Sequence, residues 1–141
     1  MADTFHLSVV TPEGAILETD ATSVVFPAYD GEYGILPNHA PLLSLVGVGE
    51  LRVTTPERKT QSWYVEGGFA EVSNNKMTLL TEEAIEIAEL SVQQAEKLLD
   101  QARNMTVTNE TERAHREATY LRGRVQKRLA RGGLAEVSGP G

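Results

Sequence analysis

Residues 84–103, AIEIAELSVQQAEKLLDQAR, decide how this chain is built. The first five, Ala84 to Ala88, read as the last of a series of short strands. From Val92 the period lengthens: Val92, Ala95, Leu99 and Ala102 recur every three or four residues, the spacing of one helix face. Ser91 and Gln94 frame the change as a capping box, in which the hydroxyl accepts from a first-turn N–H and the amide reaches back. Sheet lies upstream of this point and helix downstream.

Upstream, segments rich in Val, Ile, Thr and aromatics recur at 4–10, 14–20, 22–27, 50–55, 62–66, 68–73, 76–81 and 84–88. Phe5, Leu7 and Val9 alternate with His6 and Ser8, and Leu51-Arg52-Val53 and Met77-Thr78-Leu79 do the same. That period of two belongs to strands with one face in a core. Pro12-Glu13-Gly14, Gly47 and Gly49, Gly67-Gly68 and Asn74-Asn75 supply turns between them. Many short strands at close spacing imply a sandwich or flattened barrel. Downstream, a polar stretch from Asn104 to Thr108 separates two helices. The second starts at an Asn109 cap with Glu112 three residues on. Its stripe is read as Ala114, Ala118, Leu121, Val125 and Leu129, and Gly132-Gly133 as its stop. At ~1.5 Å per residue the helices are roughly 20 and roughly 33 Å long. The reading is therefore segregated α+β: an all-β sandwich over 1–88, an antiparallel two-helix hairpin over 89–133 and a frayed tail over 134–141. The hairpin seam is rich in alanine and has Gly123 in its second helix, so it is expected to be weak.

With 141 residues, 40% hydrophobic and 23% charged, the chain has the composition of an ordinary folded domain or two small ones. Cysteine is absent, which removes disulfides, thiolate metal sites and cysteine nucleophiles together. Apolar runs fall short of the ~20 residues of a membrane span, and Met1 to His6 lacks the basic and apolar regions of a secretion signal. A soluble, intracellular chain is the expectation. The net charge of −7 is unevenly divided: residues 1–90 carry 14 acids and 4 bases, residues 91–141 carry 6 acids and 9 bases. Seven of those bases, Arg113, Arg116, Arg122, Arg124, Lys127, Arg128 and Arg131, fall within 113–131, a stretch with the single acid Glu117. Such a reversal points to two modules with different partners.

Catalytic motifs are missing. No phosphate-cradling G-x-x-x-x-G-K-[ST] loop occurs, and Gly47-Val48-Gly49 has Arg52 where a dinucleotide fingerprint needs its third glycine. His6, His39 and His115 lack metal-ligand spacing, and the serines lie outside a nucleophile-elbow sequence. His39 reads as a hydrogen-bonding loop residue, and Glu82, Glu83, Glu86 and Glu89 as a solvated face. No metal, no cofactor and no autonomous enzyme activity are expected. The basic helix leaves three readings open: a solvated face, a nucleic-acid surface in a free-standing adaptor, or a site for an acidic protein. The aromatic interleaving of single-strand binders is missing, since Tyr120 stands by itself.

One stretch is more specific than composition explains: Gly31-Glu32-Tyr33-Gly34-Ile35-Leu36-Pro37-Asn38-His39-Ala40-Pro41-Leu42-Leu43. It resembles the G-E-x-G-I-x-P-x-H-A-P-L signature of the epsilon subunit of bacterial F-type ATP synthases. His6 to Pro12, Gly67 to Val72 and Met77 to Leu80 fall in the same family order, and the resemblance spans about residues 3–131. It implies a sandwich of about ten strands followed by the hairpin. It also implies a non-catalytic central-stalk rotor subunit that joins the gamma subunit and the c-subunit ring, peripheral at the cytoplasmic face of the bacterial membrane, without lipid insertion or nucleic acid.

By position, the resemblance places Gly31, Glu32 and Gly34 in a loop facing the c ring, and His39, Ala40, Pro41 and Leu42 near gamma. In the family the hairpin lies folded beside the sandwich or extends along gamma. Extended, it places basic residues against an acidic segment of the catalytic beta subunit, close to alpha, and inhibits hydrolysis. That implies an acidic-partner role for Arg113, Arg116, Arg122, Arg124, Lys127, Arg128 and Arg131. Some members bind ATP through an I/L-D-x-x-R-A motif, but here Ser91 and Gln94 replace its aspartate and arginine, so weak or no ATP binding is expected.

Overall fold

The computed structural model describes the backbone of residues 2–138 and the side chains of residues 2–132. The chain divides into two compact units, Met1–Glu86 and Ile87–Gly141.

The first unit holds ten strands in two five-stranded sheets. They are β1 (Phe5–Thr11), β2 (Gly14–Ala21), β3 (Ser23–Ala28), β4 (Gly31–Ile35), β5 (Leu42–Leu45), β6 (Val48–Thr54), β7 (Thr60–Glu66), β8 (Phe69–Ser73), β9 (Lys76–Leu80) and β10 (Glu83–Glu86). One sheet runs β2-β1-β9-β8-β5 and the other β10-β7-β6-β3-β4. The alternation read at Phe5, Leu7 and Val9 is real: all three are buried, and His6, Ser8 and Val10 between them are half-exposed. Leu51 and Val53 on β6, Val24 and Phe26 on β3, and Met77 and Leu79 on β9 meet them in one core. This is the sandwich of about ten strands expected above.

Two strands lie where the sequence reading has none. Gly31 to Ile35, read as loop, pairs with β3 as an edge strand, because the two-residue turn Tyr29-Asp30 folds it straight back onto Ala28 to Val24. Leu42 to Leu45 pairs with β8 at the edge of the other sheet. At the far end, β10 stops at Glu86 and Ile87–Glu89 form a 3-10 turn, where the reading has strand to Ala88.

The second unit contains α1 (Val92–Arg103) and α2 (Glu110–Ser138). Ser91 caps α1, its Oγ accepting from the Gln94 N–H at 3.2 Å. Asn109 does the same for α2 at the Glu112 N–H, 2.8 Å. Glu112 reaches back past the cap to Thr108, accepting from its N–H at 2.7 Å and its hydroxyl at 2.6 Å. These bonds hold the Glu112 carboxyl below the usual range.

Two expectations for α2 are corrected. The helix runs through Gly132 and Gly133 to Ser138, so 134–138 are helix rather than frayed tail, and 139–141 lie outside the described residues. Gly132 takes no positive φ, the conformation by which glycine closes a helix. The buried face also matches only the Val125 and Leu129 end of the apolar stripe read above. Ala114, Ala118 and Leu121 are exposed, whereas Thr119, Gly123, Val125, Gln126 and Leu129 are buried. Gly123 explains the choice: a Cβ there would sit 2.9 Å from Leu99 Cδ2 and 3.3 Å from the Ala95 carbonyl oxygen. The missing side chain lets the two helices close together, so this glycine serves packing as well as weakening the helix.

Candidate functional site

The sandwich presents two surfaces, one on each sheet, and the helical unit one. On the sandwich, the β3–β4 hairpin leaves its turn through Gly31, whose φ of 137° explains why glycine stands there. Gly34 is different: its φ is ordinary and a Cβ would meet nothing within 4 Å, so the fold does not require glycine at that position. Between them stands Glu32, exposed and bonded to Arg52 of β6 at 3.2 Å, and the same Arg52 Nη1 donates to Glu50 at 3.3 Å. Burial lowers the Arg52 pKa, but the hydrogen bond and charge of Glu32, with Glu50 behind, outweigh it and raise the guanidinium above its ordinary value.

The segment after β4 is pinned rather than loose. Asn38, at φ 65°, donates its N–H to Asn75 Oδ1 at 2.8 Å and its amide to the Ala2 carbonyl at 2.8 Å. Asn75 in turn donates to the Thr4 carbonyl at 2.7 Å. His39 follows, half-buried, with Nδ1 at 2.7 Å from the Ala40 carbonyl oxygen and its ring edge-on to Tyr33 at 6.0 Å. Ala40 and Pro41 are exposed.

Leu42 turns inward and packs on the core. Leu43 and Leu45 therefore turn outward, 71% and 49% exposed, and the register continues the apolar row: Leu45 faces Phe69, Phe69 faces Leu80 and Leu80 faces Val10. Phe69 and Leu80 are also about half exposed, at 49% and 46%. Four strands at ~4.8 Å spacing make this row about 15 Å wide. Val10, Phe69 and Leu80 line a shallow depression together with Pro12 and Gly68.

On α2, the basic residues have distinct surroundings. Arg113 pairs with Glu110 at 3.6 Å, and Lys127 pairs with Glu96 of α1, tying the helices together and holding the Glu96 carboxyl below its usual range. Arg116 and Arg124 lie over the Tyr120 ring, 5.5 and 5.8 Å from its centre. Arg113, Arg124, Arg128 and Arg131 are exposed, and Arg116, Arg122 and Lys127 half-buried. Among the described residues, no group of three or more His, Asp or Glu side chains is arranged to hold a metal, and no helix is long and apolar enough to cross a membrane.

The sandwich residues 4–87 match the family described as ATP synthase, Delta/Epsilon chain, beta-sandwich domain. The ATP synthase epsilon chain of Desulfitobacterium hafniense is 43% identical over 114 residues, 76% of this chain and 86% of that one. The chain belongs to the ATP synthase epsilon family. The epsilon chain of Nitratidesulfovibrio vulgaris extends the likeness to both units, with 35% identity over 131 residues covering 92% of this chain and 97% of the relative. Among solved structures, a chain of the Euglena gracilis mitochondrial ATP synthase, from its OSCP/F1/c-ring assembly, shares the fold at a TM-score of 0.71 and 21% identity, covering 97% of this chain and 83% of that one. A chain from the central stalk/c-ring of the Tetrahymena thermophila enzyme matches at a TM-score of 0.71 and 14% identity, covering 89% and 95%.

In this epsilon-family sandwich, Gly31, Glu32 and Gly34 share one edge strand, with Gly34 across β3 from Arg52. His39, Ala40 and Pro41 share the pinned segment that leads into β5. Leu42 is separated from them by facing the core. The sequence reading missed Arg52 as a partner of Glu32, and Leu43, Leu45, Phe69 and Leu80 as a surface. The alternation Leu43-Ser44-Leu45 was the available signal for the second; the first required the strand order.

Proposed function

We propose that this epsilon-family chain is a non-catalytic rotor subunit of the central stalk of an F-type ATP synthase. It couples rotation of the c ring to the catalytic head through gamma, from a peripheral position on the cytoplasmic side of the bacterial membrane. The observation that carries this reading is the outward apolar row Leu45, Phe69, Leu80 and Val10, with Leu43 beside it on the strand that the pinned segment His39 to Pro41 leads into. A contiguous apolar surface of this kind is the mark of a protein interface, and we assign it to gamma. Glu32, flanked by the bare positions Gly31 and Gly34, is assigned to the polar loops of the c ring. The exposed bases of α2, with Arg116, Arg122 and Lys127, are assigned to an acidic segment of beta, with alpha adjacent, when the hairpin extends. That contact restrains ATP hydrolysis. The Ser91 hydroxyl is engaged in capping α1 through the Gln94 N–H, and neither residue carries a charge for a nucleotide, which favours hydrolytic control by charge rather than by bound ATP.

One reassembly experiment tests both parts. ATP synthase stripped of its epsilon chain is rebuilt with the full chain, with Leu45→Asp/Phe69→Glu, or with charge reversal at Arg122, Arg124 and Arg128. The apolar-row variant is expected to fold and fail to join gamma; normal assembly refutes the gamma assignment. Charge reversal is expected to leave assembly intact and raise hydrolysis, and unchanged hydrolysis refutes the inhibitory role of the hairpin.

A further inference from the structure

The exposed acid on β4 already has a cation. Arg52 reaches it from β6, across β3, and uses the same nitrogen to hold Glu50. The two carboxylates differ sharply in exposure: the Glu50 side chain is 13% exposed and the Glu32 side chain 59%. Glu50 therefore anchors the guanidinium, and Glu32 is the outer, exchangeable partner. The Gly34 position beside the pair has no side chain and its surroundings are open, so an approaching cation meets little steric resistance. The raised basicity of Arg52 keeps it charged under all ordinary conditions.

We propose that Arg52 is an internal counter-ion for Glu32, competing with cationic groups that the c-ring loops bring to this carboxylate and limiting how tightly the β4 edge holds them. This deepens, and rests on, the reading of Glu32 as a c-ring contact. Half-exposed ion pairs are weak enough to exchange with an incoming cation, and Arg52 has Glu50 to fall back on when Glu32 changes partner. The surface thus grips and releases by exchanging one ion pair for another. A rotor contact under load gains from this, because the displaced guanidinium stays paired throughout.

The test uses the full chain in complex with gamma, titrated onto purified c rings from about 50 to about 300 mM salt, where screening separates exposed pairs from buried ones. Arg52→Gln is expected to bind about two- to tenfold more tightly at low salt, with a steeper loss as salt rises, because Glu32 is released to the partner. Glu32→Gln is expected to weaken binding, and Arg52→Gln added to it should bring no gain. Arg52→Lys, which keeps the charge, should stay near the unsubstituted chain. A purely structural Arg52 predicts the opposite sign: weaker binding in Arg52→Gln, with or without Glu32. That result, or no change in Arg52→Gln where Glu32→Gln weakens binding, overturns the counter-ion role and leaves the Glu32 contact standing. No effect of Glu32→Gln removes the c-ring contact itself. Thermal unfolding of each variant separates misfolding from altered affinity.

Discussion

Gly123 and Gly132 lie in the same helix and make a matched pair of perturbations. In an ordinary exposed helix interior, replacing glycine by alanine stabilises by about 1 kcal/mol. Gly132 is itself buried, yet nothing lies within 4 Å of its missing Cβ, so Gly132→Ala meets no obstacle and is expected to show that gain. At Gly123 the new methyl would lie 2.9 and 3.0 Å from Leu99 Cδ2 and Cγ and 3.3 Å from the Ala95 carbonyl oxygen. Leu99 is itself buried, so it cannot swing aside into solvent. Overpacking of this kind costs about 1–3 kcal/mol. Set against the propensity gain, Gly123→Ala should range from neutral to about 2 kcal/mol less stable. The two variants should therefore differ by about 1–3 kcal/mol, or roughly five- to 150-fold in the opening equilibrium of the helix. Native-state hydrogen exchange on the amides of α1 and α2 in the full chain reads this directly. Equal stabilisation by both substitutions would refute the argument that Gly123 sets the approach of the helices.

Two further expectations concern other parts of the molecule. Asn75→Ala removes the acceptor of the Asn38 N–H and the donor to Thr4, at a position with φ 60°, and should lower sandwich stability by about 1–3 kcal/mol; the check is a reduced denaturation midpoint at unchanged slope, and an unmoved midpoint contradicts it. The Glu96–Lys127 pair lowers the folded-state pKa of Glu96 from 4.5, so its contribution is complete above that value and is lost as pH falls through the lowered one. Thermal unfolding followed by helical circular dichroism should thus weaken on acidification below about pH 4.5, and less so in Glu96→Gln; identical pH profiles would remove the pair from the account.

How much of this was legible in the residues differs element by element. Ser91 and Asn109 were readable as caps because a cap and its N–H lie three residues apart in the chain. The strand carrying Glu32 was not, because Gly31-Glu32-Tyr33-Gly34-Ile35 has two turn-favouring glycines in five residues, and an edge strand needs only one neighbour to form. Leu42 to Leu45 is only four residues long, so its Leu43-Ser44-Leu45 alternation is a weak signal by itself. On α2, hydrophobicity pointed correctly to Val125 and Leu129 but wrongly to Ala114, Ala118 and Leu121; burial there went to Thr119 and Gly123, and at Gly123 close approach of the helices outweighs apolar character. Gly132-Gly133 looked like a stop, yet a glycine ends a helix only where the backbone takes a positive φ, and Gly132 does not.

Local residue order was enough to set the division into sheet and helix, the points where the helices begin, the alternation of the core strands and the concentration of bases on one helix. Each is written in neighbours a few residues apart, where periodicity and capping act. Tertiary structure alone decided that Arg52 meets Glu32 across twenty residues of chain, that Leu45, Phe69 and Leu80 form one row, and which residues of α2 are buried. These depend on strand order and on how closely two backbones can approach, and neither is encoded in any local stretch of residues.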